Sequence, residues 1–225
     1  MCLKRRKPIL LLIAFVSSQS VFAQTRISAS TNFLVIRSFK EDQRYWAIGQ
    51  DMLVDWHFTT KGGAYASLTY SSNGNFSNQL TAPAKATGTS PSEISFTNKS
   101  ELRFEQISLG FKHYFVGTTD AEVKWNLYSL TGFGLMFGRV TNSYSTSIDT
   151  SLYTAPEQPI NGKGRFKRLT LDLGLGWEVP LSGDVYLYAN GKVLIPTSDY
   201  PSKYLLVNDN APLIGAVGLG IRILF

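Results

Sequence analysis

The last fifteen residues, 211–225, alternate with a period of two. Val217, Leu219, Ile221, Ile223 and Phe225 fall on one face, and Ala216, Gly218, Gly220 and Arg222 on the other. Successive side chains of a strand leave opposite faces, so the pattern predicts a strand between an apolar environment and one accepting small or charged groups. Seven earlier segments repeat it, at 26–36, 46–58, 64–72, 101–115, 123–139, 168–179 and 185–195. The sixth is the most regular: Leu169, Leu171, Leu173, Leu175, Trp177 and Val179 oppose Arg168, Thr170, Asp172, Gly174, Gly176 and Glu178. In 101–115, Leu102 and Phe104 are out of phase with Ile107, Leu109 and Phe111. A β-bulge near Glu105 is expected there. No stretch reads as an amphipathic helix.

The connections carry a second pattern. Links after the second, fourth and sixth segments are short, about five to seven residues, and the others are longer. The long ones include three polar, aperiodic stretches, 73–100, 140–164 and 196–210, read as exposed loops, with strand expected to extend into the first near Ile94 to Thr97. Short turns on one rim and long loops on the other is the asymmetry of outer-membrane barrels, with the short turns periplasmic. Segments of roughly ten residues at ~3.3 Å rise, tilted ~40°, span the ~25 Å apolar band of such a barrel. The expected fold is an all-β, eight-stranded antiparallel transmembrane β-barrel with extracellular long loops. Its last strand closes on its first.

Residues 1–23 read as a cleaved secretory leader and 24–225 as the barrel domain. Lys4, Arg5, Arg6 and Lys7 precede an apolar run, and Val21-Phe22-Ala23 offers small residues for cleavage. This changes the charge picture. The chain carries 22 Lys and Arg against 16 Asp and Glu, and four of the 22 lie in the leader. The remaining balance is close to neutral and does not point to nucleic acid. Cys2, the only cysteine, also lies in the leader. A disulfide framework is therefore not expected, and a closed barrel supplies stability by pairing its backbone groups.

The polar faces carry Asp51, Asp55, Asp172 and Glu178 with Lys112, Arg168, Lys192 and Arg222. If the apolar faces meet lipid, all eight enter a lumen barely wider than side chains. They are expected to pair there as a charge network, since an unpaired buried charge is expensive. The inward glycines, among them Gly132, Gly174 and Gly176, are expected to make room for them. Trp56, Phe58, Phe115, Trp125 and Trp177 fall near short-turn ends and read as a periplasmic aromatic girdle.

Other chemistry is thin. Of the two histidines, only His57 is inward with a carboxylate nearby, Asp55. No catalytic site is assigned. Gly132-Phe133-Gly134 and Gly218-Leu219-Gly220 lack the following helix that a nucleotide fingerprint needs. No Cys/His metal pattern and no cofactor motif is present.

With its leader, its alternation of short turns and long loops, and a last strand ending on Phe225, the chain resembles the small outer-membrane β-barrel family of Gram-negative bacteria. The likeness is to its OmpA/OmpX-like and PorT-like members. Ile107-Ser108-Leu109-Gly110-Phe111-Lys112 and Leu171-Asp172-Leu173-Gly174-Leu175-Gly176 are typical stretches. The resemblance implies that Leu219, Ile221, Ile223 and Phe225 act as the assembly signal read by the barrel-insertion machinery. It also implies an integral, non-enzymatic outer-membrane protein in contact with lipid, with an external partner met through 73–100, 140–164 and 196–210. Three alternatives stay open: a barrel subunit of a secretion or uptake complex, a small channel, and a secreted lipocalin-like barrel with its apolar faces turned inward.

Overall fold

The computed structural model describes residues 26–122, 124–156, 159–197, 205–206 and 212–225. The expected leader lies outside them. Nine strands follow in order: β1 Arg26–Ser38, β2 Trp46–Thr59, β3 Gly62–Ser71, β4 Gly74–Pro83, β5 Glu93–Val116, β6 Asn126–Tyr144, β7 Gly162–Ser182, β8 Val185–Pro196 and β9 Ile214–Leu224. Every neighbour pair is antiparallel, β9 closes on β1, and β3 closes on β5. β3 and β4 lie end to end along β5, opposite residues 105–113 and 93–102 respectively. Nine strands thus occupy eight places around one closed ring.

The junction of β3 and β4 corrects the expected bulge. β5 keeps one phase throughout, with Leu102, Phe104, Gln106 and Ser108 all buried on its inner side. The irregularity lies across from it. Ser71 is inward on β3 and Gly74 is inward on β4, so the phase slips by one residue over 72–73. Ser71 repairs the interrupted ladder with its hydroxyl: Phe104 N–H donates to Oγ at 2.7 Å, and Oγ–H donates to Phe104 C=O at 3.2 Å. The sequence pattern was misassigned because Leu102 and Phe104 are apolar and yet face inward.

One of the three expected loops is largely strand, and a second is shortened by strand at both ends. The stretch 73–100 holds β4 and the upper part of β5, leaving a tip at 84–92. The stretch 140–164 shrinks to 145–161, because β6 runs to Tyr144 and β7 starts at Gly162. In the third, 198–204 and 207–211 lie outside the described residues. Beyond the lipid nothing demands an apolar outer face, so β4 (GNFSNQLTAP) is polar outside, with Asn75, Ser77, Gln79 and Thr81, and keeps Phe76, Leu80 and Ala82 on its inner side. The ring is consequently lopsided. β5, β6 and β7 have 24, 19 and 21 residues, against 13, 12 and 11 for β1, β8 and β9. One side of the barrel rises into a wall at the long-loop end. The wall has its own small core, where Ala82, Phe96 and Tyr153 pack with Leu80, Ile94, Tyr144 and Ile148.

Candidate functional site

Alternation sends the inward residues of all strands into one interior, which divides into two layers. Toward the long-loop end, Leu34, Ile36, Leu102, Phe104, Met136, Val140, Phe166, Leu194 and Ile214 form one buried apolar cluster. Tyr45, from the β1–β2 link, closes over it and stacks on Phe76 with ring centroids 6.1 Å apart. Gly74 permits that approach, since a Cβ there would lie 1.9 Å from the Tyr45 ring. The large apolar side chains of this cluster face inward, against the alternation's assignment of apolar groups to the outside.

Toward the short-turn end the interior is polar, and all eight charged residues assigned to the lumen are buried in the barrel. Glu178 is the hub. Arg222 grips both of its oxygens, Nε to Oε2 at 3.1 Å and Nη2 to Oε1 at 2.9 Å. The Asn126 amide donates to Oε1 at 2.9 Å, and Lys112 stands 3.9 Å from Oε2. Lys112 also binds Asp55 at 3.2 Å and lies 4.2 Å over the Tyr128 ring. Arg222 stacks on Tyr186 at 3.9 Å and donates to the Thr119 carbonyl of the β5–β6 link at 3.0 Å.

Two further carboxylates sit separately. Asp51 pairs with Lys192 and accepts from Thr69 Oγ1 at 2.7 Å. Asp172 accepts from Gln106 Nε2 at 2.8 Å and Thr170 Oγ1 at 2.7 Å, a neutral cage. Arg168 is buried beside the apolar layer, donating to the Lys167 carbonyl and lying 5.3 Å over Phe166. The network therefore enlists Gln106, Asn126, Thr170 and inward tyrosines, which charge alone did not single out; their phase on each strand was the available signal. The space beside the glycines is used differently from expectation. A Cβ at Gly176 would meet the Tyr128 ring at 2.1 Å, and one at Gly132 the Tyr65 hydroxyl at 2.7 Å. They clear room mainly for rings, although Gly174 does face Lys192.

His57 belongs to this layer. Ser28 Oγ is 2.8 Å from His57 Nε2 and 3.1 Å from Asp55 Oδ2. The three residue types of a hydrolytic triad meet, but in the wrong order. The hydroxyl bridges both partners, so the carboxylate does not orient the ring through Nδ1 as a relay requires. All three side chains are also shut away, none more than 3% exposed. The arrangement holds strands β1 and β2 together and offers no path for a substrate.

The exterior is the reverse of the interior. Phe33, Leu109, Phe111, Phe133, Leu175, Val217 and Leu219 are each more than half exposed, and they are the middle of a continuous outer belt. A soluble protein does not leave an apolar surface of that extent to water. Every strand of the ring at belt level is paired on both sides, as lipid requires, and β4, which pairs with β5 alone, lies above it in the wall. This chain is a membrane-spanning β-barrel. Trp56, Phe58, Phe115, Trp125 and Trp177 lie on its outer surface beside the short-turn ends, 41–55% exposed. Ile221, Ile223 and Phe225 also face out, and Phe225 N–H donates to the Ile27 carbonyl at 2.8 Å. At the opposite rim Arg37 lies 4.7 Å over the outward Trp46.

No protein-family model and no curated protein matches the sequence of this barrel. Among solved structures it is similar to Ail, the attachment invasion locus protein of Yersinia pestis, at 12% identity and a TM-score of 0.49, covering 89% of this chain and 99% of that one. The N-terminal β-barrel domain of Pseudomonas aeruginosa OprF is similar at 11% identity and 0.48, over 90% and 100% of the two chains. Neisserial surface protein A gives 10%, 0.48, 88% and 96%. At such identities, whatever those proteins bind remains a property of those proteins.

Proposed function

We propose that the barrel is an integral outer-membrane protein without enzymatic activity, closed to solute flow, that meets external partners through its raised wall. The observation that carries this reading is the lopsided ring. A barrel serving only as an anchor or pore has no use for strands that continue past lipid on one side and carry a separate core. The interior supports the closed state, with an apolar layer above and a paired ionic layer below. The short turns belong on the periplasmic side, where Trp56, Phe58, Phe115, Trp125 and Trp177 would sit at headgroup level. Leu219, Ile221, Ile223 and Phe225 form the assembly signal, standing on the strand that completes the ring.

Topology is testable because the only cysteine lies in the leader. Thr87→Cys at the wall tip should react with a membrane-impermeant maleimide on intact Gram-negative cells. Ser182→Cys, beside the β7–β8 turn, should react only after the outer membrane is opened. Equal labelling of both on intact cells would refute the proposed orientation.

A further inference from the structure

The outer face of the wall changes character where the apolar belt ends. Passing toward the long-loop end, β5 goes from Ile107 to Glu105, Arg103 and Glu101. β6 goes from Leu135 and Phe137 to Arg139, and β7 goes from Leu169 to Lys167, Arg165 and Lys163. The register aligns three of these cations. Arg103 is directly opposite Arg139, and Arg139 is directly opposite Arg165. Like charges facing each other across strands destabilise a sheet, with Cβ atoms ~5 Å apart.

Nothing in the described protein relieves this. Glu101 and Glu105 are on the same face, yet none of the three arginines forms an ion pair or a side-chain hydrogen bond among the described residues. All three are exposed, and with Glu101, Thr141 and Lys163 they line an open cavity of about 440 Å³. Lys167 lies 5.7 Å over the Phe137 ring, at the border between belt and cations. Across the ring the described residues have no such row: beyond the belt β9 presents Gly215 and β1 the single cation Arg37, which lies over Trp46.

We infer that the Arg103–Arg139–Arg165 row is a binding site for the clustered phosphates of a lipid headgroup in the leaflet on the long-loop side. A guanidinium fork matches phosphate oxygens bidentately, and three forks in line fit closely spaced phosphates better than one isolated anion. The position selects the source. Arg139 stands next to Phe137 of the belt, and Arg103 and Arg165 stand one outward position beyond it, past Glu105 and Lys167, so a lipid with its tails along the belt would bring its headgroup to the arginines. Charge repulsion within the row is then offset by the ligand. The inference rests on the membrane reading above, although headgroup binding can be measured whichever way the barrel is oriented.

The test uses the whole barrel refolded into phosphatidylcholine nanodiscs carrying diphosphorylated lipid A or the same lipid without its phosphates, with bound lipid counted by native mass spectrometry. Wild type should retain the phosphorylated form and release the other. R103Q/R139Q/R165Q should lose at least tenfold in retention while keeping its heat-modifiable gel mobility. K85Q, which removes a distant cation at the wall tip, should bind as wild type. Equal retention by the triple variant, or an equal loss in K85Q, overturns the site. Displacement of the lipid by equimolar inorganic pyrophosphate would also overturn it, because a free anion would then suffice. If the triple variant does not fold, R139Q alone decides: unchanged retention rejects the site and a several-fold loss supports it. Maleimide labelling at Thr87→Cys and Ser182→Cys reports orientation separately, so the two readings can fail independently.

Discussion

Glu178 is the residue on which the lower interior turns. Its two oxygens serve Arg222 and Asn126, and Lys112 approaches one of them. Removing one partner from such a group leaves buried charge uncompensated, and the usual cost is ~3–5 kcal/mol. Glu178→Gln should therefore lower unfolding free energy by about that much, because Arg222 and Lys112 lose their shared anion. Urea titration in micelles reads this directly, and a loss under ~1 kcal/mol would mean that Asp55 and the facing tyrosine rings suffice. The role of Glu178 was visible in the sequence as an acid on an otherwise apolar-alternating strand. Its partners were visible only as a set of opposite charges. Which cation meets which acid depends on barrel stagger, and alternation within single strands does not encode stagger.

At the scale of elements, what was legible was what lipid imposes. Each membrane segment needs an apolar outer face, and period two recorded it from β1 to β9. Outside lipid that demand disappears, so in β4 and the upper end of β5 the outer face is polar and the apolar members of the alternation, Phe76, Leu80, Ala82, Ile94 and Phe96, lie inside. The interior misled for a related reason. Leu102, Phe104, Met136 and Phe166 are apolar and inward, and a rule assigning apolar groups to the outside has no place for them. The wall also decides which segment is dispensable. Deleting 75–98 would remove β4 with part of β5, including Phe76 and Phe96. Replacing only 84–92 by Asn-Gly keeps every pair from Pro83↔Glu93 downward. That variant should fold with unchanged heat-modifiable mobility, because loop tips tolerate removal. Loss of the shift would show that the Ala84–Tyr153 bridge is needed for the wall to form.

For the whole molecule, the two interior layers set what crosses. Wild type in planar bilayers should give no steady discrete openings, and such openings would overturn the closed reading. Phe104→Ala combined with Met136→Ala and Phe166→Ala should admit water into the upper layer and produce measurable conductance steps. If the triple variant stays silent, the seal lies lower, where Arg222 holds the Thr119 carbonyl across the short-turn mouth.

β5 links all of these levels. It runs in a single phase from the wall core, past the Arg103 row and both interior layers, to Tyr114 beside the short turns. Its ladder with β6 is in register from Asn98↔Tyr144 to Tyr114↔Tyr128. A partner tugging on the wall tip pulls nearly along these strands, so the load falls on many backbone hydrogen bonds in parallel rather than on one at a time. Such a ladder resists by shear, and its anchor is the full depth of the membrane.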